Sequence, residues 1–377
     1  MGSGKHRQRV ELTRAAYKDG GAGDRSSSIQ VATVASTLKS TRAALSGTLG
    51  TWLFLGAAVL ILAILLLPKA ISNPSFFLQI LFYGISDGAI YALIALGYTM
   101  VYGIIELINF AHGDIFTLGY FLAVPLVGLF GFTDSTPFSL GVALVLLLVL
   151  VVVMAVDGGI NVAIERIAYR PLRHAPRLAL LITAVGVSFI LEGAMYLWRG
   201  ANNVQFPDLL PGTRLTLPGG ASVGVKDLVV IISAIVLVVL LNTFINTSKL
   251  GKAMRATAQD REAAQLMGIN INRTIAATFF IGAALAAAGG ITFGLYFNNI
   301  RFDEGFLAGL YAFTAAVFGG IGNIQGAALG GLFIGLVAAF STAYFQAALT
   351  DVWIFAILIL VLVFRPTGLL GMQVPEK

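Results

Sequence analysis

The chain has 377 residues, of which 58% are hydrophobic and 11% charged, and its formal net charge is +6. A soluble domain carries about a quarter charged residues, so this composition excludes a water-soluble fold, and the mean hydropathy of +0.89 agrees. The absence of cysteine removes disulfides, thiolate metal sites and thiol nucleophiles.

Residues 1 to about 50 read as a flexible basic tail rich in Gly, Ser, Ala and Thr, with Lys5, Arg7, Arg9 and Arg14 among its cations. The first apolar stretch begins at Trp52, too late for a cleaved signal, whose apolar core falls within roughly the first 15–30 residues. Trp52 to Leu67 therefore reads as a short membrane helix stopped by Pro68. Nine further apolar runs follow, near 76–103, 112–130, 139–163, 178–198, 226–246, 274–297, 305–321, 326–346 and 352–367. Runs of roughly 17–25 apolar residues cross a bilayer as helices, because lipid forces a backbone to satisfy its own hydrogen bonds. The expectation is an all-α integral membrane protein of about ten transmembrane helices, with a membrane domain over 51–372 and a short tail at 373–377.

Orientation follows from the cations. Arg166, Arg170, Arg173 and Arg177 collect in one loop, and Lys249, Lys252, Arg255, Arg261 and Arg273 in another; such loops stay in the cytoplasm. Two spans separate them, so they share a side, and counting outward places both termini there too. The stretch from Gly200 to Val225, with Pro207, Pro211 and Pro218, then faces outward. Because the basic residues fall in short runs between spans, they match loops facing anionic lipid and not a nucleic-acid-binding surface.

Polar breaks in apolar runs carry the functional signal. The string IIELINFAHGDIFTLG, from Ile104 to Gly119, places Glu106, Asn109, His112 and Asp114 between two spans. An ionisable group at membrane depth costs about 2.5–3.5 kcal/mol on insertion scales. Two readings fit: a wet surface loop, or a broken helix lining a translocation path. Asp87 and Glu192 lie within spans and are path candidates, whereas Asp157 and Glu165 stand close enough to the Arg166–Arg177 loop for pairing with arginine. The 43 glycines cluster within spans, where small residues let helices approach closely. Gly319, Gly320, Gly322 and Gly326, in GGIGNIQG, read either as packing positions or as a tight turn or break. The three histidines, His6, His112 and His174, are far apart and do not read as a metal site.

The basic loop from 248 to 273 reads as one short surface helix closed by Gly268. Arg255, Gln259, Glu262 and Gln265 share a face, and Met254, Leu266 and Met267 supply apolar contacts. Such a helix fits lipid, neighbouring spans or a soluble partner equally well. No phosphate-binding loop is present: Gly2-Ser3-Gly4-Lys5-His6 lacks its spacing and its Ser or Thr after Lys. If ATP drives this protein, another chain binds it.

Several long strings, taken together, resemble the LivH-like permease subunits of branched-chain amino acid ABC importers. They are YALIALGYTMVYGIIELINFAHGDIFTLG at 91–119, IERIAYRPLR at 164–173, LGKAMRATAQDREAAQLMGIN at 250–270, YAFTAAVFGGIGNIQGA at 311–327 and RPTGLLG at 365–371. The resemblance runs from about Phe77 to Gly371 and implies the ABC importer permease fold in a prokaryotic inner membrane. It also implies a second, LivM-like permease, two ATP-binding subunits that hold ATP and Mg, and an extracytoplasmic substrate-binding protein. No cofactor is implied on this chain.

Carried over by position, Arg255, Asp260, Glu262, Ala263, Ala264 and Gly268 become a coupling segment that fits the ATP-binding subunit, and Asn109, Phe110, His112 and Asp114 line or shape the path. Glu262-Ala263-Ala264 with Gly268 is similar to the EAA loop of ABC importers, without its closing Leu-Pro. Asp114 stands where many relatives have Glu. Three other readings stay open: a urea or short-amide permease of the same fold, an ion-coupled carrier using Asp87, Glu192 or Asp114, and an intramembrane hydrolase pairing His112 and Asp114 with Ser86 or Ser188.

Overall fold

The computed structural model describes residues 66–105, 109–173, 175–216, 220, 222–365 and 367–371. The tails at 1–50 and 373–377, Glu106, His174 and all but the last two residues of the expected Trp52–Leu67 helix lie outside these. The chain divides at Pro68, and the helical bundle is on its C-terminal side.

Among the described residues the long helices are α1 (Pro74–Ile105), α2 (Ala111–Leu129), α3 (Leu140–Ile164), α4 (Arg177–Arg199) and α5 (Val225–Thr247). Two short helices follow, α6 (Lys249–Gln259) and α7 (Arg261–Leu266), and then α8 (Ile271–Phe297), α9 (Glu304–Gly319), α10 (Ile324–Tyr344) and α11 (Thr350–Phe364). Eight helical segments are long and apolar enough to cross a membrane, and α9 is a shorter apolar helix. These are the nine runs read from hydropathy, with ends that differ by a few residues.

Helix starts are set by local chemistry. Asn73 accepts from the Phe76 N–H at 3.2 Å just ahead of Pro74, which needs no hydrogen-bond partner at that position. Ser139, Ser248, Asn270 and Asn323 cap α3, α6, α8 and α10 in the same way.

α1 and α8 form the middle of the bundle, and 78% of the most apolar stretch of each is buried within the chain. α1 lies antiparallel against α10 through interlocked glycines. A Cβ on Gly335 would sit 2.1 Å from the Gly88 nitrogen, one on Gly88 would meet the Leu332 backbone at 2.6 Å, and one on Gly331 would meet the Ala92 backbone at 2.4 Å. Four-residue spacing on both helices, Gly84 with Gly88 and Gly331 with Gly335, keeps the backbones in contact over two turns.

One face of the bundle carries the basic links. α3 runs on into a π-helical turn at Glu165–Tyr169 and a 3-10 turn at Arg170–Leu172, and the α6–α7 hairpin joins α5 to α8. Arg173, at the end of the first link, donates to Asn272 in the first turn of α8 at 2.7 Å, which places the two links on the same side. On the opposite face, β1 (Val204–Gln205) pairs with β4 (Asn299–Ile300), and β2 (Arg214–Thr216) with β3 (Ser222–Gly224). Tyr120 of α2 ties this cap to the bundle by donating to the Val204 carbonyl at 2.7 Å.

Candidate translocation and coupling sites

The α1–α2 junction is a broken helix sunk into the bundle. α2 begins at Ala111, so Asn109 precedes it and His112 and Asp114 lie in its first turn, all three buried. Asn109 accepts from the Tyr169 hydroxyl at 2.8 Å, its amide nitrogen being unpartnered. The His112 ring packs edge-on to Tyr98, 4.7 Å between centroids, over the bare backbone of Gly97. Ser188 of α4 donates to one carboxyl oxygen of Asp114, and the other has no partner. Gly113 lets α2 meet α9 at Gly305 and Gly309, where its Cβ would stand 2.1 Å from the Gly305 carbonyl. Phe110 alone of the described residues in this group is partly exposed. In this conformation Asn109, His112 and Asp114 therefore sit buried in helix–helix contacts, where glycines bring α1, α8 and α9 close together.

The two other path candidates lie elsewhere. Asp87 is part-buried in α1, one residue from Ser86, which donates to Asp227 of α5 at 2.9 Å. Asp227 also accepts from Tyr296 of α8 at 2.8 Å and from the Gly224 N–H at 2.9 Å, so it joins three elements near the strand-bearing face. Glu192 is part-buried in α4, one turn beyond Ser188. The serines resolve the hydrolase geometry: Ser188 binds Asp114 directly, Ser86 is engaged by Asp227, and His112 hydrogen-bonds to neither.

Pairing divides the two carboxylates near the arginine loop. Glu165 is buried and ion-paired with Arg173. Asp157 is not paired: it is fully buried where α3 meets Gly119 of α2 and Ala287 of α8, with neither oxygen hydrogen-bonded. Closeness in sequence misleads here, because Asp157 lies two helical turns above the loop.

The candidate coupling segment is two helices and not one. Asp260 adopts an extended backbone, and its carboxylate accepts from the N–H groups of Glu262 and Ala263 at 2.9 and 3.0 Å, starting α7 afresh. Its residues split into anchors and tip. Arg255 turns back to the Ile245 carbonyl, Arg261 reaches the Ile104 carbonyl at 2.6 Å, and Ala264 is buried. Glu262, Ala263 and Gly268 are exposed, with Leu266 (88%) and Met267 (83%) beside them, and Gly268 has φ +83. The anchoring role of Arg261 is invisible in the sequence, since a cation aimed at a helix-terminal carbonyl has no local signature.

The GGIGNIQG string is the α9–α10 turn. Gly320 and Gly322 have φ of +111 and +87, a backbone region that disfavours side chains, while Gly319 and Gly326 touch backbone to backbone. The RPTGLLG motif closes over it: the N–H groups of Leu369 and Leu370 donate to the Phe318 and Gly319 carbonyls at 2.8 and 2.9 Å, and Asn323 donates to the Leu370 carbonyl at 2.9 Å. Two strings roughly 40 residues apart thus satisfy the open carbonyls at the end of α9.

Comparison with known proteins agrees with this architecture. The family described as the permease component of branched-chain amino acid transport systems matches residues 80–362. The high-affinity branched-chain amino acid transport system permease protein LivH of Escherichia coli (strain K12) is 42% identical over 305 residues, 80% of this chain and 98% of that protein. BraD of Pseudomonas aeruginosa, a permease protein of the same kind of system, is 43% identical over 304 residues, again 80% and 98%. A probable LivH of Methanocaldococcus jannaschii is 28% identical over 238 residues, 59% of this chain and 73% of that protein. No solved structure matches. The chain is thus a multi-span transport subunit, and it belongs to the family of permease components of branched-chain amino acid transport systems.

Proposed function

We propose that this chain forms half of the transmembrane pathway of an ATP-driven importer of branched-chain or other hydrophobic amino acids. The observation that carries the reading is identity of 42–43% to two permeases of such systems, over nearly their whole length. The remaining parts are a second, LivM-like permease, two subunits that bind ATP and Mg, and an extracytoplasmic binding protein that meets the strand-bearing face. The basic face and both termini lie in the cytoplasm of a prokaryotic cell, a placement that the distribution of arginine and lysine supports.

The geometry supports a mechanism. Leu266, Met267, Glu262 and Ala263 present an apolar tip with one carboxylate, suited to a groove on the ATP-binding subunit. Arg261 links this tip to the last turn of α1, just before the buried Asn109–Asp114 cluster that holds α2 against α1, α4 and α9. Movement of the tip then shifts the end of α1 and loosens or tightens the α2–α9 contact at Gly113 and Gly305. Asn109, His112 and Asp114 thereby shape the path from behind, and Asp87, Phe110 and Glu192 are the less buried groups that meet substrate. ATP hydrolysis biases the two states, and this chain converts helix motion into access.

The test is uptake of labelled leucine by vesicles holding the assembled complex. ATP inside drives uptake, a proton gradient across vesicles holding this chain alone does not, and uptake under that gradient overturns the reading in favour of an ion-coupled carrier. An extracytoplasmic partner that bound only urea or short amides would reassign the substrate. Replacing Leu266 and Met267 by Ser lowers ATPase co-purification and uptake at least tenfold while leaving membrane insertion unchanged, because exposed substitutions move stability by about 0.5 kcal/mol or less.

A further inference from the structure

At the basic face, a cavity of about 330 Å³ opens between the π-helical and 3-10 turns after α3 and the first turn of α8. Its walls include Arg166, Arg170 and Arg273. The carboxylate on its wall, Glu165, is already held by Arg173, while the three arginines have no ion pair among the described residues. The positive end of the α8 dipole points the same way, since its cap Asn270 and Asn272 of its first turn also line the cavity. The site is therefore strongly positive and has room for a group larger than a lone ion.

The lipid side identifies the occupant. Leu144, Leu148, Val152 and Val156 are exposed at four-residue intervals down α3, and the exposed face continues through Gly159 and Ala163 to Ile167, 79% exposed, and to the cavity-lining Arg166 and Arg170. An apolar track thus leads from the membrane interior to the basic cavity. Basic pockets between transmembrane helices on the cytoplasmic side take anionic lipid headgroups.

We propose that this cavity binds the phosphate of an anionic phospholipid, with an acyl chain along the α3 stripe. Since α7 runs into α8 through Asn270, a lipid held there braces the base of the coupling hairpin. That consequence, and the leaflet, rest on the importer reading; the headgroup chemistry does not.

The experiment is native mass spectrometry of the full chain titrated separately with phosphatidylglycerol, phosphatidylethanolamine and inorganic phosphate. Phosphatidylglycerol binds preferentially, and each of Arg166→Gln, Arg170→Gln and Arg273→Gln weakens it about fivefold, roughly a hundredfold together. Arg199→Gln, on the opposite face, changes nothing. Undiminished phosphatidylglycerol binding by the triple variant overturns the proposal. So does inorganic phosphate that displaces the lipid at equal concentration, which makes the source a soluble phosphate. Loss of ATP-binding-subunit capture with lipid affinity intact overturns it in favour of a protein contact. If the triple variant does not fold, exposed Arg166→Gln alone carries the same comparison.

Discussion

The middle of the bundle and its rim differ in the opposite sense from a soluble protein. α1 and α8 are less apolar than the rim helices, yet 78% of the most apolar stretch of each is buried, whereas only 22% of that stretch is buried in the more apolar α5 and 17% in the 347–364 segment. In water the most apolar helix would be the core. In lipid there is no hydrophobic drive to bury it, so the rim is apolar because it faces hydrocarbon, and the centre is chosen by close packing and by polar groups that lipid would reject. Glycine and buried Ser, Thr, Asn and Asp consequently mark the centre, and uninterrupted Leu and Val mark the rim.

The largest expected effect breaks the centre. Gly335→Leu places a branched side chain where even a Cβ would stand 2.1 Å from the Gly88 nitrogen and 2.6 Å from the Gly84 carbonyl. Backbone cannot yield as a side chain does, so α1 and α10 must separate, beyond the usual overpacking cost of about 1–3 kcal/mol. Size-exclusion chromatography in detergent should show loss of the monodisperse peak; a normal peak would mean that α1 and α10 are not interlocked. Next comes the rim. Val151→Lys, at an exposed position midway along α3, costs about 2.5–3.5 kcal/mol on the insertion scale. A glycosylation-site insertion assay reads it, and unimpaired insertion would mean that this face of α3 is wet or covered by protein.

Those two effects mirror what sequence can and cannot supply. The span positions are legible because bilayer thickness and backbone hydrogen bonding leave one solution. Gly84 and Gly88 do not stand out, since a glycine pair acquires meaning only when Gly331 and Gly335 face it. The 248–273 segment reads as one continuous helix because Arg255, Gln259 and Glu262 keep helical spacing across Asp260, whose capping role depends on its backbone being extended. Asp114 is visible as a polar intruder, but its partner Ser188 lies 74 residues away. Asp157 looks paired only while sequence distance is taken for spatial distance.

Ser188→Ala is expected to act more mildly than either substitution above, and it sharpens the claim that polar contacts hold the centre. It removes the donor to Asp114 and leaves that carboxyl without a partner on either oxygen. The expected loss is about 1–3 kcal/mol, visible as a lower thermal midpoint in detergent. Ser188→Thr keeps a hydroxyl and should recover most of it; equal loss in both variants would assign the effect to packing.

The smallest effect tests whether glycine itself, or its place, matters. Gly186 in α4 faces open space, with nothing within 4 Å of an added methyl group, whereas the same methyl at Gly335 meets backbone. Gly186→Ala should be neutral or stabilising by up to about 1 kcal/mol, because alanine restricts the unfolded chain at no steric cost. Gly335→Ala should lower the thermal midpoint clearly. The two substitutions add the same atoms to the same residue type, so opposite signs can come only from the surroundings. Equal shifts would show that intrinsic helix propensity, and not the division between an interlocked centre and a lipid-facing rim, governs the response of these glycines.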